Sequence, residues 1–167
     1  MSDTSTHTTT TDLKAKFWDR LAKVQAGMLG LKSDNRLVPM SPNLDDDPNE
    51  VWFITAQGTD LVNACTTGPQ EGVMVVSDAK AGLYADIAGT LSLSTDRAKL
   101  DELWNAVASA WYEDGKDDPD VRLLKFVPSS AEVWLTDTSA LKFLFEIAKG
   151  NLTDRQPDMG DHGSLRF

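Results

Sequence analysis

Apolar residues recur every three or four positions over residues 12–25, where Leu13, Phe17, Leu21 and Val24 fall on one stripe of a predicted helix. From Gly27 onward the pattern shortens. Residues 27–31 read as a first strand, Ser33-Asp34-Asn35 as a turn and residues 36–41 as the return strand, with Pro39 tolerated at a sheet edge. Residues 42–48 hold Asp45, Asp46 and Asp47 but lack the alternating spacing and distal glutamate of a calcium loop, so they read as a solvated connection. Residues 51–55 are aromatic and β-branched and form a strand. Thr59 caps a short predicted helix over 60–66. Residues 72–77 and 83–93 give two more strands.

The next stripe, Leu100, Leu103, Trp104, Val107 and Trp111, predicts one long helix that starts at the capping residues Ser94, Thr95 and Asp96. A polar loop over 113–120 follows. Residues 121–127 and 131–135 predict two strands separated by Pro128-Ser129-Ser130. A last helix is expected over 140–149, packed by Phe143 and Phe145 and stopped by Gly150. The stretch after Thr153 is polar.

Most of these strands follow one another closely, as in an antiparallel meander or Greek key. A doubly wound parallel sheet would alternate strand and helix throughout. Seven short strands with few helices predict a mainly β fold with flanking helices, curled into a closed barrel that removes exposed edges. One domain over 11–152 is expected, between a disordered tail at 1–10 and a polar C-terminal tail at 153–167. No repeat or linker divides it.

Composition narrows the functional classes. The 167 residues carry a net charge of −10, which disfavours a general nucleic-acid or anionic-membrane surface, although sixteen basic side chains suffice for a local phosphate site. No apolar run is long enough to span a bilayer. The start of the chain lacks the basic and apolar segments of a secretory signal. Cys65, the one cysteine, cannot form an intrachain disulfide, and a cytoplasmic location is expected. Cys65 itself reads as a small buried apolar residue. His7 and His162 are far apart near the two ends, so a histidine metal cluster is not expected.

Three stretches carry a resemblance. The first joins the helix through Trp104 and Trp111 to the loop Gly115-Lys116-Asp117-Asp118-Pro119-Asp120 and the strand Glu132-Val133-Trp134. The second runs from Phe17-Trp18-Asp19-Arg20-Leu21 to Gly27-Met28-Leu29, and the third is Trp52-Phe53-Ile54-Thr55. Together they resemble the general stress protein branch of the pyridoxamine 5'-phosphate oxidase-like split barrels, over nearly the whole chain after the tail. The resemblance implies an antiparallel split β-barrel, a homodimer, and a flavin, usually FMN, held in grooves between the subunits.

The family's flavin pattern pairs an Arg-Pro-Met strand with a Trp-Phe-x-Thr strand, then a hydroxyl residue and a lysine. Pro39 and Met40 match the first part; Phe53, Ile54 and Thr55 match the second; Thr59 matches the hydroxyl. Val38 stands at the arginine position and Leu61 at the lysine position, so both expected phosphate cations are missing. Arg36, two residues before Val38, is either a substitute phosphate ligand or a surface residue beside the turn. The helix after Thr59 would add backbone N–H groups. Trp18 and Trp104 read as core. Trp111 and Trp134 are candidates to line the site.

No side chain stands out as an acid, base or nucleophile, so no catalytic residue is named. The expected function is a flavin-binding stress protein, with an oxidoreductase activity carried by the cofactor. The alternative is a non-enzymatic barrel dimer that has lost tight flavin binding, which Val38 and Leu61 favour. Heme as a third ligand class is disfavoured by the lack of a core histidine.

Overall fold

The computed structural model describes residues 9–46, 48–136 and 160–167. Its first element is the helix α1 (Thr10–Leu21), whose N-cap Thr9 accepts a hydrogen bond from the Asp12 amide. The periodic stripe predicts this helix, and Leu13, Phe17, Trp18 and Leu21 are buried along it. The helix ends at Leu21, earlier than the stripe suggests, yet Val24 remains in the core. Arg20 fixes the helix to the sheet: its Nη1 donates to the carbonyls of Ala81, Gly82 and Thr136 at 3.2, 3.0 and 2.6 Å.

The strands are β1 (Gly27–Leu31), β2 (Leu37–Met40), β3 (Val51–Ala56), β4 (Gln70–Asp78), β5 (Leu83–Ser94), β6 (Val121–Thr136) and β7 (Gly160–Arg166). All pairings are antiparallel, in the order β2-β1-β4-β5-β6-β3, with β7 also on β6. Among the described residues the two end strands, β2 and β3, do not pair with each other. The sheet therefore curls around a core without closing, as a split barrel does. Phe17, Leu29, Phe53, Met74, Ile87, Leu91, Leu124 and Phe126 are fully buried inside it. The short helix α2 (Asp60–Cys65) adds Leu61, Val62 and Cys65 to the same core.

Three expectations are corrected. Residues 121–127 and 131–135 are one sixteen-residue strand, not two. Pro128 does not break it, because the register against β5 shifts between Ala88 and Gly89, and a bulge there absorbs the missing donor. Gly89 makes this possible: an added Cβ would lie 2.4 Å from the Val127 carbonyl oxygen and 2.8 Å from the Phe126 ring.

The second correction concerns the polar stretch after Thr153. Its last part, Gly160–Arg166, is a strand, paired with β6 from Ser130 to Thr136. Leu165 is buried, and Phe167 meets the rings of Phe17 and Trp18 at 5.4 Å each. One apolar side chain facing inward was too little to mark a strand in so polar a run.

The third is the long helix. It is two helices, α3 (Arg97–Leu103) and α4 (Ala106–Trp111), separated at Trp104 and Asn105. The helix expected over 140–149, with Phe143 and Phe145, lies outside the described residues, as do residues 1–8 of the expected tail.

Candidate functional site

A cavity of about 940 Å³ opens where β2 and β3 approach α4. The strand ends present Pro39, Met40, Ile54 and Thr55 to it, and Thr59 follows at the start of α2. The end of β3 reaches the cavity with consecutive residues, Ile54 to Ala56. Val51 and Phe53 point into the core, while Ile54 and Thr55, at the emerging end of the strand, are partly exposed.

The opposite wall is α4. Asn105 caps it, its Oδ1 accepting from the amides of Val107 and Ala108 at 3.0 Å each. Trp104 Nε1 donates to Ser109 Oγ at 2.8 Å, which ties the break to the first turn of α4. Val107, Trp111 and Tyr112 face the cavity.

The lining is chemically uniform in one respect: none of its side chains carries a charge, in a chain of net charge −10. Apolar surface comes from Pro39, Met40, Ile54, Val107 and Trp111. Hydroxyls of Ser41, Thr55, Thr59 and Tyr112 and amides of Gln25, Asn43 and Asn105 supply the polar groups. Burial, then the carboxylates of Asp118 and Asp120, push the Tyr112 phenol above its ordinary range, so it stays protonated at neutral pH. Volume and chemistry suit a neutral planar ring with a polar edge.

The positions singled out in the sequence divide into two groups. Pro39, Met40, Ile54, Thr55, Thr59 and Trp111 meet around this cavity. Phe53 is fully buried, Leu61 is 8% exposed in the core, and Val38 packs partly buried against it. Arg36 does not line the cavity. Its Nη1 donates to Asp60 Oδ2 at 2.6 Å in an exposed ion pair, and Asp60 lies in the first turn of α2. The six-residue α2 thus carries a carboxylate where a phosphate would need donors, and the Thr59 side chain donates to the Ala56 carbonyl.

Trp134 stands at the far end of β6 from β3. It stacks on His162 with 4.9 Å between ring centroids, and His162 Nε2 lies 2.6 Å from Glu132 Oε1. Trp18 is buried, as expected; Trp104 is only partly so and packs against Tyr112. Burial raises the Cys65 thiol's pKa, as suits a small core residue. Gln25, Ser41, Asn43, Asn105, Val107 and Tyr112 line the cavity without having been singled out. Of these, Asn105 carried a usable signal, since an asparagine inside a helical stripe is a capping residue in the wrong place.

An open antiparallel split barrel with a ring-sized, uncharged cavity where its end strands β2 and β3 part defines the structural class. The chain belongs to the pyridoxamine 5'-phosphate oxidase-like family, whose description matches residues 12–158. Within it, the chain is similar to a protein assigned as general stress protein 26 from Jannaschia sp. CCS1, at 54% identity and a TM-score of 0.91, covering 94% of this chain and 99% of that one. It is also similar to the general stress FMN/FAD binding protein of Xanthomonas citri, at 33% identity and a TM-score of 0.70 over 77% of this chain and 92% of that one. A general stress family protein of Xanthomonas campestris pv. campestris matches at 32% identity and a TM-score of 0.69, over 83% and 93% of the two chains. A search of curated proteins finds no match.

Proposed function

We propose that this protein is a flavin-binding general stress protein that holds the isoalloxazine ring between β2, β3 and α4. The observation that carries the proposal is the uncharged cavity in which Met40, Ile54 and Thr55 meet Trp111. The FMN/FAD binding named for the Xanthomonas citri relative supports the same reading.

In this reading Pro39, Met40 and Ile54 cover ring faces and exclude water. The Thr55 hydroxyl and the protonated Tyr112 phenol orient the polar edge. Val38 and Phe53 hold the strand ends in place from the core side. A bound flavin supplies electron or hydride transfer, and the protein's part is orientation and desolvation.

The ring is better served than the phosphate. Leu61 is buried, Val38 faces the core and Arg36 is already paired with Asp60. These three positions favour a second reading, a barrel that no longer binds FMN tightly and has no enzymatic role.

A homodimer suits the open cavity and belongs to the same proposal. A second copy would bring further residues, Trp134 among them, to a groove shared between subunits. Light scattering over a dilution series checks this, with a stable monomer at micromolar concentration as the contrary result.

Titration with riboflavin and with FMN, followed by flavin absorbance and fluorescence, tests the function. Both ligands are expected to bind, with dissociation constants within about tenfold of each other, because one charge-assisted phosphate contact alone would favour FMN by about tenfold or more. Absence of binding by either ligand supports the second reading. Much tighter binding of FMN would require a phosphate site on residues other than those described.

A further inference from the structure

The stripe Leu100, Leu103, Trp104, Val107, Trp111 would lay all five side chains on one face of a continuous helix, and that face would be buried. The break at Asn105 divides it. Leu100 is 4% exposed and packs with Trp52, Val121 and Leu123, whereas Val107 is 64% exposed and Trp111 80% exposed. On α4 Ala108 is the buried position, while Val107 and Trp111 stand out one turn apart, and all three line the cavity. The break has a dedicated cap, since Asn105 satisfies two amides of α4 and its Nδ2 also reaches Asn43 Oδ1 at 3.5 Å across the cavity rim. Two large apolar side chains are thus withdrawn from a core stripe and set against a cavity with no charged lining.

We propose that Trp111, supported by Val107, is the side chain that stacks on the ring of the bound ligand and closes the cavity over it. This rests on the flavin reading above and adds the group that covers the ring. The occupant is a neutral planar aromatic ring. Charge complementarity argues for it: the opposite wall is Met40 and Ile54, and the polar groups at the rim are uncharged hydroxyls and amides. An indole face stacked on such a ring adds both contact area and attraction, at the scale of aromatic–base stacking.

The test uses the full chain and riboflavin, which isolates the ring from any phosphate effect. Trp111→Ala lies on an exposed side chain and leaves the core untouched, which the unfolding midpoint verifies. Binding to the wild type is expected to quench riboflavin fluorescence through indole stacking. In Trp111→Ala the affinity should fall by about tenfold or more, and bound riboflavin should recover much of its emission. Trp111→Phe should keep most of the affinity while losing most of the quenching, an effect that a purely structural role would not produce. Val107→Ala should weaken binding by a smaller factor in the same direction.

If the wild type binds riboflavin and Trp111→Ala binds it equally well with unchanged emission, the stacking role is wrong and the flavin reading stands. If no flavin binds the wild type, both fall. If Trp111→Ala leaves riboflavin affinity intact but converts a dimer to a monomer in light scattering, a second copy covers this face, and the proposal is overturned in that way.

Discussion

Leu61 shows how burial overrides a motif. It occupies the position of a phosphate-pairing lysine in the family pattern, yet it is 8% exposed and sits among Val62, Cys65 and the barrel interior. Leu61→Lys is therefore expected to destabilise the protein rather than restore a phosphate site. An unpaired ammonium in that core costs roughly 2–4 kcal/mol, less whatever its stem recovers by reaching solvent. Denaturant unfolding of wild type and variant measures it, and an unchanged midpoint would place residue 61 outside the core. Matching to the family's flavin pattern found Pro39, Met40, Ile54, Thr55 and Thr59, because the strand ends that carry it border the cavity. It missed Tyr112 and Asn43, which reach the cavity from loops and carry no periodic signal.

At the scale of elements, helix type and strand type were legible and continuity was not. Leu100 to Trp111 follow a perfect helical stripe, but Asn105 supplies a cap that ends the stripe's logic. Pro128 and two serines look like a turn, but a bulge beside Gly89 carries β6 through them. Gly89→Ala should accordingly lower stability by about 1–3 kcal/mol, since its Cβ has no room against Val127 and Phe126. Chemical denaturation checks the size; a neutral effect would mean that β5 and β6 are further apart there.

The docking of β7 depends on polar groups. Ser164 Oγ donates to Glu132 Oε2 at 2.6 Å, and His162 meets the other oxygen. The Ser164 hydroxyl first, then His162, hold the Glu132 carboxyl below its usual range. A carboxyl with a depressed folded pKa contributes stability above its ordinary range and loses it as the pH falls through the folded value. Ser164→Ala should therefore raise the Glu132 pKa and weaken the acid resistance of the β6–β7 pairing. Side-chain carboxyl titration by NMR reads the first effect, and amide exchange along residues 160–166 reads the second. An unmoved Glu132 titration would show that the serine contact does not persist in solution.

The whole molecule combines a large apolar interior with an unfinished edge. Closely spaced strands with few helices between them were enough to foresee a mainly β barrel, but not that β1 pairs with β4 and β3 with β6 across the sequence. That β2 and β3 do not pair with each other was not foreseeable from periodicity, which suggested full closure; beside the isolated Asn43–Trp52 bridge they leave the gap in which the cavity lies. Among the described residues no helix is long and apolar enough to cross a membrane. The central claim is that a flavin ring lies in that gap, against Met40, Ile54, Thr55 and Trp111. Riboflavin titration into isotopically labelled protein, observed by NMR, tests it most directly. Saturable shifts should concentrate on the amides of residues 40, 54 and 55 and on the Trp111 indole, with the fully buried Phe17 and Leu29 nearly still. Saturable binding that leaves residues 40, 54, 55 and 111 unmoved, or no binding at all, would contradict the account.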